Sequence, residues 1–246
     1  MGEGQDRDIL RRLAEEQAAI AALPLQCETI AGWKDVNALR PGRAMVWINE
    51  IPWHEMDVDG ELTLRCEDPL LRQHELVLRR TLYQWRHMPA DMVVEPVLYS
   101  PLVIHDTGFG LDERADILRT DERSDIVSRR FHRQITCEAD IDKIRMPEVR
   151  HDAAASEEHR ARLDALVGDV LPVVPRGARG FWFAPWDYLI RLWGVQQAME
   201  DLVLRPALVH AAMDRLTAAY LRRLDQYEAQ NLLAMNNTNV RVGSGG

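Results

Sequence analysis

Lysine is scarce in this sequence of 246 residues, and basic residues as a whole are in the minority. Lys34 and Lys143 are the only lysines, and 30 basic residues stand against 39 acidic ones, which gives a net charge of −9. A surface for nucleic acid or for an anionic membrane needs clustered basic side chains that neutralise phosphates. The charge balance therefore argues against both as partners.

Cysteine is also scarce and is not arranged for zinc. The three cysteines, Cys27, Cys66 and Cys137, are far apart and show no C-x-x-C spacing. An odd and sparse set predicts a reducing compartment without a disulfide framework. By themselves, the three residues do not make a zinc site.

Long apolar runs are missing as well. The first 24 residues are charged and amphipathic and lack the apolar core of a secretory signal. No stretch of the sequence approaches the length that spans a membrane. We therefore expect a cytoplasmic protein.

What is present is an alternation of helical and extended patterns. Apolar residues at steps of three and four predict helices over 6–22, 33–39, 69–88, 156–167, 186–202 and 206–230. Short apolar runs predict strands over 44–48, 91–104, 170–177 and 232–237, whereas residues 111–150 are only loosely patterned, with a helix start near residue 136. This alternation favours an α/β fold with a parallel sheet.

Chemically capable side chains follow the predicted strands. Parallel α/β folds place their sites at the carboxyl ends of strands. The candidates are Asn49, Glu50, Trp53, His54 and Glu55 after the first strand, Glu95, His105 and Asp106 in the second region, and Asn236 and Asn237 at the last strand. A (β/α)8 barrel would bring all of them to one mouth.

Each of these candidates also has a purely structural interpretation. The segment from Glu50 to Glu55 is either part of a site or a solvated loop whose Trp53 packs on the N-terminal helices. Glu95 sits in an apolar run, where an unpaired carboxylate is costly, so it needs a cavity or a partner. A turn before Gly108 explains His105 and Asp106 as well as a ligand pair does, and the two asparagines could simply cap a loop.

Three segments resemble the uroporphyrinogen decarboxylase superfamily. They are ITCEADIDKIRMPEV, DMVVEPVLYSPLVIHDTGFG and the long stretch GVQQAMEDLVLRPALVHAAMDRLTAAYLRRLDQYEAQNLLAMNN, and their order and spacing are similar to those of the superfamily over most of residues 30–246. The resemblance implies a TIM-type (β/α)8 barrel over residues 44–246, preceded by an N-terminal helical extension over residues 1–43.

The superfamily holds two main chemistries, and the resemblance implies one of them. True decarboxylases carry an Arg-Gln-Ala-Gly-Arg-Tyr signature just after the first strand, but here the equivalent stretch is NEIPWHEM, which contains no arginine. Glu50 and Glu55 would repel a substrate rich in carboxylates, which needs charge-assisted partners. The methyltransferase-like members, which move methyl groups between cobalamin and a thiol or other acceptor, are therefore favoured.

That interpretation implies particular partners and cofactors. We expect cobalamin carried by a corrinoid protein, or a small-molecule methyl donor or acceptor, and a divalent metal such as zinc whose ligands the sequence does not identify. A true decarboxylase would need no cofactor. Glu95, His54 and Glu50 are the expected catalytic residues, while Asn49, Trp53, Glu55, His105, Asp106, Asn236 and Asn237 are expected to bind substrate.

The predicted strands are too few for a complete barrel. Four or five of the expected eight are visible before the chain ends in TNVRVGSGG, so we expect an incomplete barrel and a truncated chain. A partial barrel exposes two unpaired strand edges, which favours a homo-oligomer or a poorly folded chain. A non-catalytic binding module is therefore the third functional alternative, after methyl transfer and decarboxylation.

Overall fold

The computed structural model describes residues 2–57, 59–119, 127–181 and 183–234, with side chains from residue 4 onward. Eight α-helices are described: α1 (Gly2–Ala21), α2 (Pro24–Asn37), α3 (Trp53–Met56), α4 (Pro69–His87), α5 (Ala153–Val167), α6 (Pro185–Trp193), α7 (Val195–Leu204) and α8 (Pro206–Ala229). The described strands are β1 (Leu98–Pro101), β2 (Ile104–Asp106), β3 (Ala115–Leu118), β4 (Ser128–Phe131), β5 (Val149–His151) and β6 (Val173–Arg176), and a 3-10 helix covers Glu138–Lys143.

The chain divides into two compact units. Unit 1 comprises Met1–Pro101, Ala153–Arg176 and Ala234–Gly246, and unit 2 comprises Leu102–Asp152 and Gly177–Leu233. The boundary predicted after residue 43 is not tested by this division and stays a prediction.

Unit 1 is built around a parallel strand pair and three long helices. β1 and β6 run parallel, with Leu98 opposite Val173, and α5 packs against both strands. Asp68 caps α4 by accepting hydrogen bonds from the backbone N–H groups of Leu70 and Leu71, as expected of an aspartate followed by proline at the first helical position. The core is formed by apolar side chains of these elements, namely Leu10, Leu13, Leu71, Leu78, Leu82, Leu98, Leu163, Val167, Leu171 and Val173.

Unit 2 combines three helices with two antiparallel strand pairs. β2 pairs with β5 and β3 pairs with β4. Trp193 at the end of α6 is fully buried, and its neighbours in the core come mainly from α6 and α8, namely Leu189, Leu192, Leu208, Val209, Ala212, Leu216, Ala219 and Tyr220.

A glycine divides the helix predicted over residues 186–202. Gly194 has a φ of +83°, a conformation that side-chain-bearing residues rarely adopt. It ends α6 and begins α7, so the predicted single helix is two helices. The apolar spacing alone did not reveal this break because it continues across the glycine.

The first predicted strand is wrong. Residues 44–48 form neither helix nor strand, and Val46 is 55% exposed. The segment is instead tied to Asp91, whose backbone N–H donates to the Val46 carbonyl and whose carboxylate accepts from the Val46 N–H at 2.7 Å and from Arg43. Contact with one short segment replaces the two flanking strands that a buried parallel strand needs.

The α/β prediction is confirmed at the level of a mixed helix and sheet structure. In the residues that the structure describes, the three sheets each have two strands and no barrel closes. None of the described helices is both long and apolar enough to cross a bilayer.

Candidate functional site

The residues predicted from Asn49 to Glu55 lie in unit 1 and contact their neighbours in sequence. The Asn49 side-chain amide donates to the Glu50 carboxylate at 3.0 Å, and Nε2 of His54 lies 3.3 Å from Oε1 of Glu55. Asn49, Glu50 and Glu55 are exposed. An imidazole beside a carboxylate can transfer a proton, but these contacts are those of a surface segment.

An arginine from α4 lies beside this segment, whose own residues include no arginine. The guanidinium carbon of Arg80 on α4 lies 5.0 Å from the centre of a Trp53 ring, within the range of a cation–π contact. Tyr83 lies one turn further along α4; its ring centroid is 6.2 Å from that of Trp53, and its hydroxyl donates to the Met56 carbonyl at 3.0 Å. Trp53 therefore contacts α4. The three-residue spacing of Arg80 and Tyr83 places both side chains on one face of α4, and this was the only indication of the contact in the sequence.

Glu95 lies before a strand and is exposed. The strand predicted over 91–104 begins only at Leu98, so Glu95 precedes the amino end of β1 instead of following a carboxyl end. The Tyr99 hydroxyl donates to the Glu95 carboxylate at 3.1 Å, and the guanidinium carbon of Arg176 lies 3.7 Å from the Tyr99 ring centre. Glu95 therefore has a polar partner, as its place in an apolar run required, and its side chain is exposed.

His105 and Asp106 lie in unit 2 and have different surroundings. Both belong to β2, where successive side chains point to opposite faces. His105 is 56% exposed and approaches Asp152 at 3.8 Å. Asp106 is 12% exposed and accepts from the Arg223 Nε–H at 2.5 Å, so the two do not form a ligand pair.

Asp106 anchors the wall of a cavity. Its carboxylate also accepts from the Gly108 backbone N–H at 2.9 Å and from the Tyr227 hydroxyl at 3.3 Å. The cavity has a volume of about 340 Å³, and it is lined by residues of the loop after β2 together with residues of α6 and α8, namely Thr107, Gly108, Phe109, Gly110, Leu111, Asp112, Glu113, Tyr188, Arg191, Leu192 and Arg223.

Aromatic rings surround the arginine of this cavity. The guanidinium carbon of Arg223 lies 5.7 Å from the ring centre of Phe109, 5.2 Å from that of Phe181 and 5.9 Å from that of Tyr227. The three rings and Asp106 fix the cation in one position. Sequence reasoning missed Arg223 because it lies more than a hundred residues from Asp106, on a helix whose other residues supply the core.

Glycine shapes the loop that lines the cavity. Gly108 and Gly110 have φ values of +64° and +77°, and a Cβ atom at Gly110 would lie 2.8 Å from the Arg145 side chain. The Tyr188 hydroxyl donates to the Leu111 carbonyl at 2.6 Å, and burial raises the pKa of Tyr188 to about 12. Tyr188 therefore acts as a neutral donor that holds the loop.

Charges of both signs face the cavity. Arg191 lies 3.6 Å from the Glu113 carboxylate, and Asp112 and Arg223 also line the wall. With Phe109 and Tyr188 as apolar surface, this lining suits a small polar molecule.

The remaining predicted residues, Asn236 and Asn237, lie outside the described residues. The predicted last strand is represented in the described part by a parallel bridge between Leu233 and Ala178 in unit 2.

The described residues do not fit the zinc site that the superfamily resemblance implies. Within residues 2–57, 59–119, 127–181 and 183–234, no three His, Cys, Asp or Glu side chains are placed to share a metal ion. Zinc requires the thiolate form of cysteine, but burial raises the pKa of the Cys66 thiol to about 12. No step of the proposed reaction is therefore assigned to zinc.

Comparisons with models of protein families, with curated proteins and with solved structures find no match to this chain. The superfamily resemblance of the three sequence segments stays a prediction.

Proposed function

We propose that this chain is an enzyme of the uroporphyrinogen decarboxylase superfamily, of the methyltransferase-like type, on an incomplete TIM-type barrel. TIM-type barrels are built from parallel strands joined through helices. Two parallel contacts of this kind support the proposal: β1 with β6, with α5 packed against both, and Ala178 with Leu233, between which α6, α7 and α8 lie in the chain.

The observation that carries the proposal is the place in the chain of the segments that line the cavity in unit 2. Its helix α6 follows the parallel strand β6 in the chain, whereas its loop, Thr107–Glu113, follows β2, which pairs antiparallel with β5. Parallel α/β folds carry their chemistry on the segments that follow the strands. We therefore assign the substrate to this cavity, and the segment from Asn49 to Glu55 and Glu95 become secondary candidates.

The cavity supplies the groups that methyl transfer to a thiol needs. Arg191 binds the anionic end of the acceptor, and Asp112 in the wall accepts the thiol proton. Methylcobalamin carried by a corrinoid partner would supply the methyl group, and the acceptor thiol would leave as a methyl thioether with cob(I)alamin as the second product.

The test is methyl transfer from methylcobalamin to 2-mercaptoethanesulfonate. The rate is measured from the decrease in methylcobalamin absorbance. Asp112→Asn removes the proton acceptor and is expected to lower kcat by about 100-fold or more. Glu158→Gln, an exposed carboxylate on α5, is the matched control and should leave the rate unchanged.

Two further variants separate the cavity from the residues predicted first. Glu95→Gln and His54→Gln should change kcat by less than threefold if the cavity is the site. Absence of turnover in the unaltered chain would contradict methyl transfer. A larger loss in Glu95→Gln than in Asp112→Asn would move the site to the start of β1.

Decarboxylation of uroporphyrinogen is the second candidate, and one contact favours it. Arg80 over Trp53 provides a cation beside the segment in which decarboxylases have arginines. Turnover of uroporphyrinogen that is lost in Arg80→Gln would support this alternative in place of methyl transfer. The third alternative, a binding module without catalysis, requires both activities to be absent from a cooperatively folded chain.

A further inference from the structure

Unit 1 contains a cavity that the proposed function does not use. It has a volume of about 350 Å³ and lies among α1, α4 and the segment 59–65. Its lining consists of Arg12, Leu13, Asp59, Gly60, Glu61, Arg65, Arg79, Leu82 and Arg86. Four guanidinium groups against two carboxylates make its wall cationic, in a chain whose net charge is negative.

Two of the four arginines are already held by carboxylates. Arg86 bridges Glu16 and Glu61, and Nε of Arg79 donates to Glu75 at 2.7 Å. These pairs neutralise part of the wall. They also fix both guanidinium groups in position, so that little side-chain entropy is lost when a ligand arrives.

Arg79 retains a hydrogen-bond donor with no acceptor. Its side chain is 94% buried, since 6% is exposed, and its Nη1 donates to the Glu61 carbonyl at 2.8 Å. Its Nη2 is buried and has no partner among the described residues. A buried donor without an acceptor is costly, and a ligand oxygen that accepts from it would remove that cost.

Arg12 and Arg65 complete the cationic wall from two different segments. Both are exposed, and within the described part of the chain neither guanidinium group takes part in a hydrogen bond or an ion pair. Their charge is opposed in the wall by Asp59, because Glu61 is engaged by Arg86 and by His87 at 2.7 Å. Two guanidinium groups thus face the cavity with a single carboxylate available to them.

We propose that this cavity binds a small molecule through an oxyanion group, a phosphate or a carboxylate. Guanidinium forks match the geometry of both groups. Arg12 and Arg65 bind the oxyanion, Arg79 donates through its remaining N–H, and the buried Leu13 and Leu82 provide the apolar part of the wall. The site lies on the N-terminal helix and α4, and it does not depend on the methyl-transfer proposal.

The test is binding of two probes, inorganic phosphate and citrate, measured by titration calorimetry at constant ionic strength set with sodium chloride. We expect at least one of the two to bind with a dissociation constant in the millimolar range or below. Arg12→Gln and Arg65→Gln should each weaken that binding by about tenfold, because each removes charge-assisted hydrogen bonds.

The control is Arg7→Gln, which removes the same charge from an exposed position of α1 outside the cavity. It should change the dissociation constant by less than twofold. All three arginines are exposed, so none of these changes threatens folding, and Arg79 is left unchanged because it holds Glu75.

The outcome with each probe decides the chemistry of the ligand. Binding of phosphate alone indicates a phosphorylated ligand, and binding of citrate alone indicates a carboxylate ligand. No heat with either probe, or equal weakening by Arg7→Gln and Arg12→Gln, would overturn the proposal.

Discussion

Both units contain a carboxylate with almost no exposed area, Glu75 on α4 in unit 1 and Asp201 on α7 in unit 2, and the two are neutralised in different ways. Glu75 is 0% exposed and accepts from the backbone N–H groups of Arg65 and Cys66 and from Arg79. Burial by itself would raise the pKa of Glu75, but these donors outweigh it, so that its pKa lies below the ordinary value.

Asp201 is 1% exposed and is neutralised almost entirely by side chains. Arg205, the residue that follows α7, donates to it, the Trp193 indole N–H donates at 2.8 Å, and the Gln197 amide donates at 3.2 Å. The hydrogen bond from Arg205, followed by those from Trp193 and Gln197, lowers the pKa of Asp201 to about 2 in spite of its burial.

The two networks differ in what remains unsatisfied. In the described part of unit 2, no buried side-chain nitrogen or oxygen lacks a hydrogen-bond partner, whereas in unit 1 Arg79, Gln26 and Ser100 each have one such atom. A complete network stabilises a core. An incomplete network beside a cavity leaves a donor for a ligand. Asp201 therefore has a structural role, whereas the Glu75–Arg79 pair also adjoins the proposed oxyanion site.

The largest effect is expected from Glu75→Gln in unit 1. The change leaves the Arg79 charge buried without its counter-charge, and breaking a buried ion pair in this way costs about 3–5 kcal/mol of unfolding free energy. Urea denaturation followed by circular dichroism measures the loss. Glu15→Gln, exposed on α1, is the control and should stay within about 0.5 kcal/mol. A loss below 1 kcal/mol for Glu75→Gln would show that water compensates Arg79.

A smaller loss, about 2–3 kcal/mol, is expected from Asp201→Ala in unit 2. Arg205 is 38% exposed and can turn to water, but the buried Trp193 N–H loses its acceptor. The same urea titration measures the change, with Asp214→Ala at an exposed position of α8 as the control. If Asp201→Ala costs more than Glu75→Gln, the proposed contrast between the two networks is wrong.

The smallest effect concerns pH and a histidine of unit 1. His74 on α4 is 4% exposed, and burial, together with the nearby His159, lowers its pKa to about 4 from the ordinary 6.5. Between these two values the unfolded chain binds the proton and the folded chain does not. Stability from this residue is therefore present above pH 6.5 and falls as the pH decreases toward 4, by about 2 kcal/mol between pH 7 and pH 5.

The measurement compares unfolding free energies at pH 7 and pH 5 in His74→Leu and in the unaltered chain. The variant should lose about 2 kcal/mol less over this interval. His210→Gln, exposed on α8, should follow the unaltered chain. Equal pH dependence in His74→Leu and the unaltered chain would mean that the folded protein accommodates a charged His74.

Helix periodicity was the most reliable signal in the sequence. It predicted α1, α4, α5 and α8 to within a few residues, and the Asp68-Pro69 pair marked the start of α4. It underestimated α2: the helix predicted over 33–39 begins at Pro24, which occupies the first turn of α2. A proline fits both the end of one helix and the first turn of the next, and local sequence does not distinguish the two positions.

The candidate site was predicted only in part. Asp106 adjoins the cavity of unit 2, but its partners Arg223 and Tyr227 are more than a hundred residues away. Glu95 was assigned to a strand end from an apolar run in which the strand begins three residues later. Arg80 was missed for the same reason as Arg223: its contact with Trp53 connects two segments whose separate patterns carry no information about each other.

The sequence by itself determined α1, α4, α5 and α8, the helix cap at Asp68, the mixed α/β class and the negative charge, because these depend on local propensity, periodicity and composition. Only the tertiary structure decided that 44–48 is not a strand, that Arg223 lies among three rings beside Asp106, and that Arg79 keeps an unused donor beside a cavity. A strand needs a neighbour along its edge, and an ion pair needs a partner in space. The residues that adjoin the strand or the charged side chain in the chain do not show whether such a partner exists.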